Sequence, residues 1–155
     1  MRDGGYTKSN TPIRVQLLGQ TPEWMAENAV RALELGSHGI DLNFGCPAKA
    51  VNKSKGGAIL LKTPEDMYQI ISSVKTAIGN DNDLSVKIRL GFDSACLLDE
   101  IVDAVVSAKA NILTVHARTK KDGYRPPAYW HYISNISKKY PIELVANGEI
   151  WSKSD

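Results

Sequence analysis

Four short polar clusters close runs of apolar residues, and each could do chemistry. The sharpest is Asn43-Phe44-Gly45-Cys46-Pro47. A cysteine after a glycine, at the end of a buried run, is held at a loop mouth, with lysines following at 49, 53 and 55. Cationic neighbours raise the thiolate content of such a cysteine. The same lysines could instead hold RNA phosphate, and the thiol could be a small buried hydrophobe. Cys96, at a helix start, reads as a buried hydrophobe. The second cluster is Ser85-Val86-Lys87-Ile88-Arg89. Lysine is almost never buried without a partner, so Lys87 needs an anion: Asp41, Glu149 or an anionic cofactor. Arg89, two residues on, shares its strand face. The third is His116-Ala117-Arg118-Thr119, where His116 and Arg118 share a face and a basic loop follows, which points to anion binding. The fourth is Asn147-Gly148-Glu149. Gly148 lets backbone approach a ligand, and consecutive N–H groups there can hold phosphate. Gln16 projects a neutral amide from an earlier apolar run and is expected to make an interior hydrogen bond.

The elements that must position these groups follow a repeating pattern. Five short apolar runs read as buried strands: Arg14–Leu18, Gly39–Phe44, Leu84–Leu90, Ile112–His116 and Ile142–Asn147. Thr21-Pro22-Glu23 predicts a helix start, with Thr21 as N-cap and proline at the first helical position. Met25, Ala29, Val30 and Leu33 form its apolar stripe, and Gly36 ends it. Thr63-Pro64-Glu65 repeats the signature. Its stripe is Met67, Ile70, Ile71, Val74 and Ile78, with Gly79 as the stop. Helices are further expected over 97–110 and about 130–139, whereas the Lys/Gly stretch after Cys46 reads as a long loop. Residues 1–12 read as a loop or frayed start. Strands alternating with helices predict a parallel α/β sheet. Chemistry at all five strand ends favours a barrel over a doubly wound sheet, which gathers its chemistry at one switch point. No Rossmann or Walker A glycine motif is present.

Composition narrows the class. At 155 residues, 43% hydrophobic and 23% charged, the chain has an ordinary globular make-up, which argues against a disordered or collagen-like chain. No apolar run approaches the ~20 residues of a membrane span. The start lacks an apolar signal core, so a cytoplasmic protein with reduced cysteines is expected. The net charge of +2 announces no nucleic-acid partner by itself. Its distribution is more telling. Lys49, Lys53, Lys55 and Lys62 occur without an acid between Cys46 and Lys62. Arg118, Lys120, Lys121 and Arg125 face only Asp122 between His116 and Arg125. The rest of the chain is therefore net acidic.

Together these groups read as a site for a phosphate-bearing ring cofactor on a parallel barrel, with a cysteine at its mouth and a basic rim. The segments VQLLGQ, DLNFGCPAKAVNKSKGGAILL, VKIRLG, VHARTKKDGY and VANGEIW resemble the tRNA-dihydrouridine synthase family in order and spacing. VN-x-S-x-GG and ANGEIW are most similar to the C-type enzymes that modify position 16. The resemblance implies an FMN-dependent reductase on a TIM-type barrel, with NADPH as reductant and tRNA as partner. It implies no metal, no membrane and a monomeric parent. Cys46 matches the general acid that protonates C5 of the uracil while the flavin delivers hydride to C6. An acid must hold its proton, so Cys46 is expected to remain a thiol. Gln16, Lys87 and His116 match flavin contacts, and Asn147, Gly148 and Glu149 match part of the flavin phosphate site. Asn43, Arg89, Arg118 and Tyr124 are similar to positions facing uridine or nearby tRNA.

A TIM barrel needs eight βα units in typically ~250 residues, and five strands are legible here. The resemblance implies that 13–155 is the central part of the catalytic domain. Two strands would precede it, and an eighth strand and a helical RNA-binding domain would follow. The isolated piece is expected to expose sheet edges and to be unstable or inactive. Two alternatives are a different FMN barrel enzyme, such as a pyrimidine dehydrogenase, and a non-catalytic fragment with weak RNA binding. The basic loops argue against the former, since a free pyrimidine needs no such surface.

Overall fold

The computed structural model describes residues 5–152; expectations for residues 1–4 and 153–155 lie outside the described residues. The five strands form at the expected places: β1 (Val15–Leu17), β2 (Ile40–Asn43), β3 (Leu84–Arg89), β4 (Ile112–His116) and β5 (Glu143–Asn147). Helices intervene as α1 (Pro22–Glu34), α2 (Lys49–Lys53), α3 (Pro64–Ile78), α4 (Leu98–Ser107) and α5 (His131–Lys139). The strands are all parallel, in the order β1-β2-β3-β4-β5.

That order decides the architecture. Crossovers between parallel strands are right-handed, so an order that never reverses keeps every connecting helix on one face. A doubly wound sheet would need a reversal. The fold is a singly wound α/β sheet of five strands, the arrangement of a partial barrel. Register separates its faces. Asp41 aligns with Ser85, Ile112 and Glu143; Asn43 aligns with Lys87, Thr114 and Val145; Arg89 aligns with His116 and Asn147. This face is largely polar. The alternate positions Ile40, Leu42, Leu84, Val86, Ile88, Leu113 and Val115 are fully buried beneath the helices. All five α3 stripe residues are buried, and Ile70, Ile71 and Val74 are wholly inaccessible. In α1 only Met25 and Ala29 of the expected stripe are fully buried; Val30 and Leu33 pack at the margin, and Ala32 joins the core.

Two local expectations are corrected, and a third, left open, is decided. Thr21 occupies the N-cap but makes no side-chain cap bond; proline at the first position and Glu23 in the first turn mark the start instead. The stretch after Cys46 is not a plain loop. It forms α2 and a 3₁₀ segment, Gly57–Lys62, whose Ala58, Leu60 and Leu61 are buried. Of the two readings of the start, residues 5–12 take the first, an ordered loop rather than a frayed end. Thr7 N donates to Thr11 O at 2.8 Å and Ile13 N to Gly5 O at 2.7 Å, which closes a tight turn. Among the described residues, no helix is long and apolar enough to cross a membrane.

Candidate functional site

The carboxyl ends of β2 to β5 enclose an open cleft of about 500 Å³, a size suited to a cofactor or substrate. Asn43, Cys46, Lys87, Arg89, His116, Arg118, Tyr124, Asn147, Gly148 and Glu149 all line it. Gln16 joins from the edge: Asn43 Nδ2 donates to Gln16 Oε1 at 2.8 Å, and Gln16 donates to Asp41.

The Cys46 loop is held from both sides. Asn43 Oδ1 accepts from Gly45 N at 2.9 Å, turning the chain as it leaves β2. Gly45 O accepts from Arg89 Nε at 2.9 Å. Cys46 O accepts from Ala58 N at 3.1 Å and from Asn52 Nδ2 at 2.9 Å. Gly57 adopts φ +65°, and a Cβ there would approach Cys46 O to 2.9 Å, so the 3₁₀ segment can close on the loop only with glycine. The thiol is therefore presented half-buried at the cleft mouth by a fixed backbone.

Lys87 donates to Asn147 Oδ1 at 2.9 Å. Of the anions weighed for Lys87, neither carboxylate pairs with it: Asp41 is engaged by Gln16, and Glu149 pairs with Arg118 at 2.8 Å while accepting from Ala128 N. Burial lowers the pKa of Lys87; Asp41 opposes that shift and Arg89 reinforces it. The result is an ammonium on the open sheet face whose hydrogen-bond partner is neutral.

Arg89 does share the Lys87 face, but its guanidinium is buried and holds backbone. Nη1 donates to Thr119 O at 3.2 Å and Gly123 O at 2.8 Å, and the group lies 5.1 Å from the Tyr124 ring centroid. Arg118 is likewise buried, with Nε donating to Arg125 O at 2.7 Å. The free cations that the sequence suggested are thus two clamps on the loop after β4. Tyr124, held over Arg89 and 5.9 Å from His116, is 72% exposed at the rim. Glu149 directs its carboxylate at Arg118, leaving only backbone at that position for a ligand phosphate. Cys96 is exposed beside Ser94 Oγ, not buried as expected, because it precedes α4 on the outer surface. Sequence reasoning missed Asn52 and Gly57 as supports of Cys46. The asparagine amide in α2 and the Gly56-Gly57 pair were the available signals.

His116 is neutral. Burial, then Arg89, Lys87 and Arg118, push its pKa down to about 4. Arg118 Nη1 lies 3.4 Å from His116 Nε2. An arginine can only donate, so Nε2 accepts and Nδ1 carries the proton. Gly148 (φ +111°) packs against this ring; a Cβ there would lie 2.7 Å from Cδ2. The unfolded imidazole titrates near ~6.5. Between these values the unfolded chain binds a proton that the folded chain does not. This group's contribution to stability is therefore full above pH ~6.5 and falls away as pH drops towards the folded value. Denaturant titrations at pH 7 and pH 4.5 are expected to show a smaller loss for His116→Gln than for the parent sequence, by on the order of 2–3 kcal/mol. Equal losses would remove His116 as the source.

Comparison with known proteins places the chain in a family. The sequence profile described as dihydrouridine synthase matches residues 2–155. A tRNA-dihydrouridine(16) synthase of Shewanella oneidensis is 54% identical over 152 residues, 98% of this chain and 48% of the relative. That of Vibrio cholerae is 55% identical over 156 residues, covering 100% of this chain and 48% of the relative. That of Ralstonia nicotianae is 48% identical over 155 residues, 100% of this chain and 48% of the relative. The chain thus spans about half the length of the curated relatives it matches. A crystal structure of a dihydrodipicolinate synthase family protein from Coccidioides immitis aligns over 91% of this chain and 39% of its own, with TM-score 0.60 and 18% identity, a likeness of fold alone. Profile and relatives agree along the whole chain: it belongs to the dihydrouridine synthase family.

Proposed function

We propose that the protein carrying this chain reduces a uridine of tRNA to 5,6-dihydrouridine, with FMN as bound flavin and NADPH as the reductant. Residues 13–155 would form the central part of its FMN-binding catalytic domain. The observation that carries the reading is the pairing of Cys46, at the cleft mouth, with the Lys87–Asn147 bond on the cleft floor. The names of the relatives support it, and they favour position 16 as the target.

The residues present fit FMN. Lys87 offers an ammonium with a neutral partner to an electron-rich ring, where it would stabilise negative charge. Gln16, joined to the cleft through Asn43, and His116, which lines it, would add polar contacts to the ring. Backbone at Asn147, Gly148 and Glu149 suits a phosphate, since Gly148 carries no side chain and the Glu149 carboxylate is turned to Arg118. When bound, FMN supplies the hydride that adds to C6 of the base. Cys46 holds a proton and delivers it to C5. Asn43 and Tyr124 orient the flipped base and adjacent RNA at the rim, and Arg118 holds the loop that carries Tyr124. Arg89 holds the two loops between which the base lies.

The test is direct. An unmodified tRNA transcript incubated with the purified protein, FMN and NADPH is expected to gain two hydrogens at a single uridine, read by mass spectrometry of nuclease digests. An unchanged transcript under conditions where NADPH bleaches the flavin would overturn the assignment.

A further inference from the structure

The two basic loops meet at one aromatic ring outside the cleft. Lys62 Nζ, at the end of the 3₁₀ segment, lies 4.2 Å from the Phe92 ring centroid, and Lys120 Nζ, in the loop after β4, lies 4.6 Å from it. Backbone bonds fasten the loop after β4 to the segment that carries Phe92. Lys120 N donates to Gly91 O and Lys121 N to Phe92 O, both at 2.9 Å. One carboxylate serves all three ammoniums. Asp93 pairs with Lys62 at 2.7 Å, and Lys62, Lys121 and Lys120 together help hold its carboxyl below the usual range.

Three cations against one anion leave the cluster positive. Contact with the partly exposed ring orders the lysines without neutralising them. An ordered surplus of like charge at the surface attracts a polyanion. Lysine ammoniums occupy the Phe92 ring, so it is not an open platform for stacking a base. Point charges match phosphates and carry no base readout.

We infer that Lys62, Phe92 and Lys120, with Lys121, form a clamp for the phosphodiester backbone of the RNA substrate. The clamp is separate from the cleft that receives the reacting base, and the inference rests on the functional reading above. Clamp and cleft share one loop. Arg89 holds Thr119 O and Gly123 O on either side of Lys120 and Lys121. A phosphate seated on the clamp therefore sets the distance between the RNA backbone and the cleft mouth.

The experiment is binding of an unmodified tRNA transcript to the FMN-loaded protein across a salt series. Wild type, Lys62→Gln/Lys120→Gln, Lys62→Arg/Lys120→Arg and Asp93→Asn are compared. The glutamine pair is expected to flatten the slope of log K against log salt by about 1.5–2 and to weaken binding on the order of tenfold at ~0.1 M salt. Flavin absorbance should be unchanged. The arginine pair should keep the wild-type slope, and Asp93→Asn should bind tighter by removing the competing carboxylate. A wild-type slope and affinity in the glutamine pair would overturn the clamp alone. A wild-type protein that neither binds nor reduces the transcript would overturn the functional reading, and the clamp with it.

Discussion

Replacing Cys46 by alanine in the protein that carries this chain is expected to slow dihydrouridine formation by roughly 10²–10⁴-fold, the usual contribution of a positioned general acid. Flavin retention and flavin reduction by NADPH should be unchanged. Cys46 lines the cleft, but its backbone is held by Asn52, Ala58 and, through Gly45, by Arg89, so loss of the thiol leaves the loop in place. The loss should therefore fall on the chemical step. Single-turnover rates on a tRNA transcript make the measurement, with flavin absorbance as the control. Dihydrouridine formation at the parental rate would show that C5 takes its proton elsewhere. Cys46→Ser should also be slow, because a hydroxyl is a much weaker acid than a thiol.

Arg89→Met is expected to destabilise the protein by about 3–5 kcal/mol, because three carbonyls lose a buried charged donor that methionine cannot replace. The carbonyls of Gly45, Thr119 and Gly123 all lose a donor at once. Each buried group left unsatisfied costs about 1–3 kcal/mol. Arg89→Lys should recover only part of this, since a single ammonium cannot reach three carbonyls in a planar fork. The measurement is equilibrium denaturation. A stability change under ~0.5 kcal/mol for Arg89→Met would mean that water or a neighbouring donor replaces the guanidinium. Such a variant should also turn over more slowly at full flavin occupancy, because Gly45 O is one anchor of the Cys46 loop.

Much of the frame is legible in the residues. Ile112–His116 is a strand with the expected limits, and the apolar stripe of α3 is buried throughout. These are cases where one strong period persists over a whole element. The helix and 3₁₀ segment after Cys46 are not legible, because their five and six residues are too short to show a period. Glycines and lysines in that stretch also carry the signature of a loop. The residues of the cleft are gathered as their positions at strand ends suggest, yet the partners of their charges are not. Arg89 and Arg118 look like ligands for an anion in one dimension. In three, backbone carbonyls from the loop after β4 surround them. Cys96 fails in the opposite sense: its polar neighbour Ser94 sits two residues away, but nothing local tells which side of the chain faces solvent.

The unbroken strand order has a consequence for how this protein can change over time. Neighbouring positions along β3 answer to different constraints. Leu84, Val86 and Ile88 lie beneath the helices, whereas Ser85, Lys87 and Arg89 lie on the face that leads to the cleft. Substitutions at the first set act mainly on how much folded protein exists, and at Lys87 on what the folded protein does. Abundance and specificity can thus be adjusted at interleaved positions of one segment without trading one for the other. Arg89 is the exception, because it serves both sets and leaves no such freedom. An insertion of one residue within β3 would swap the two sets and forfeit both at once.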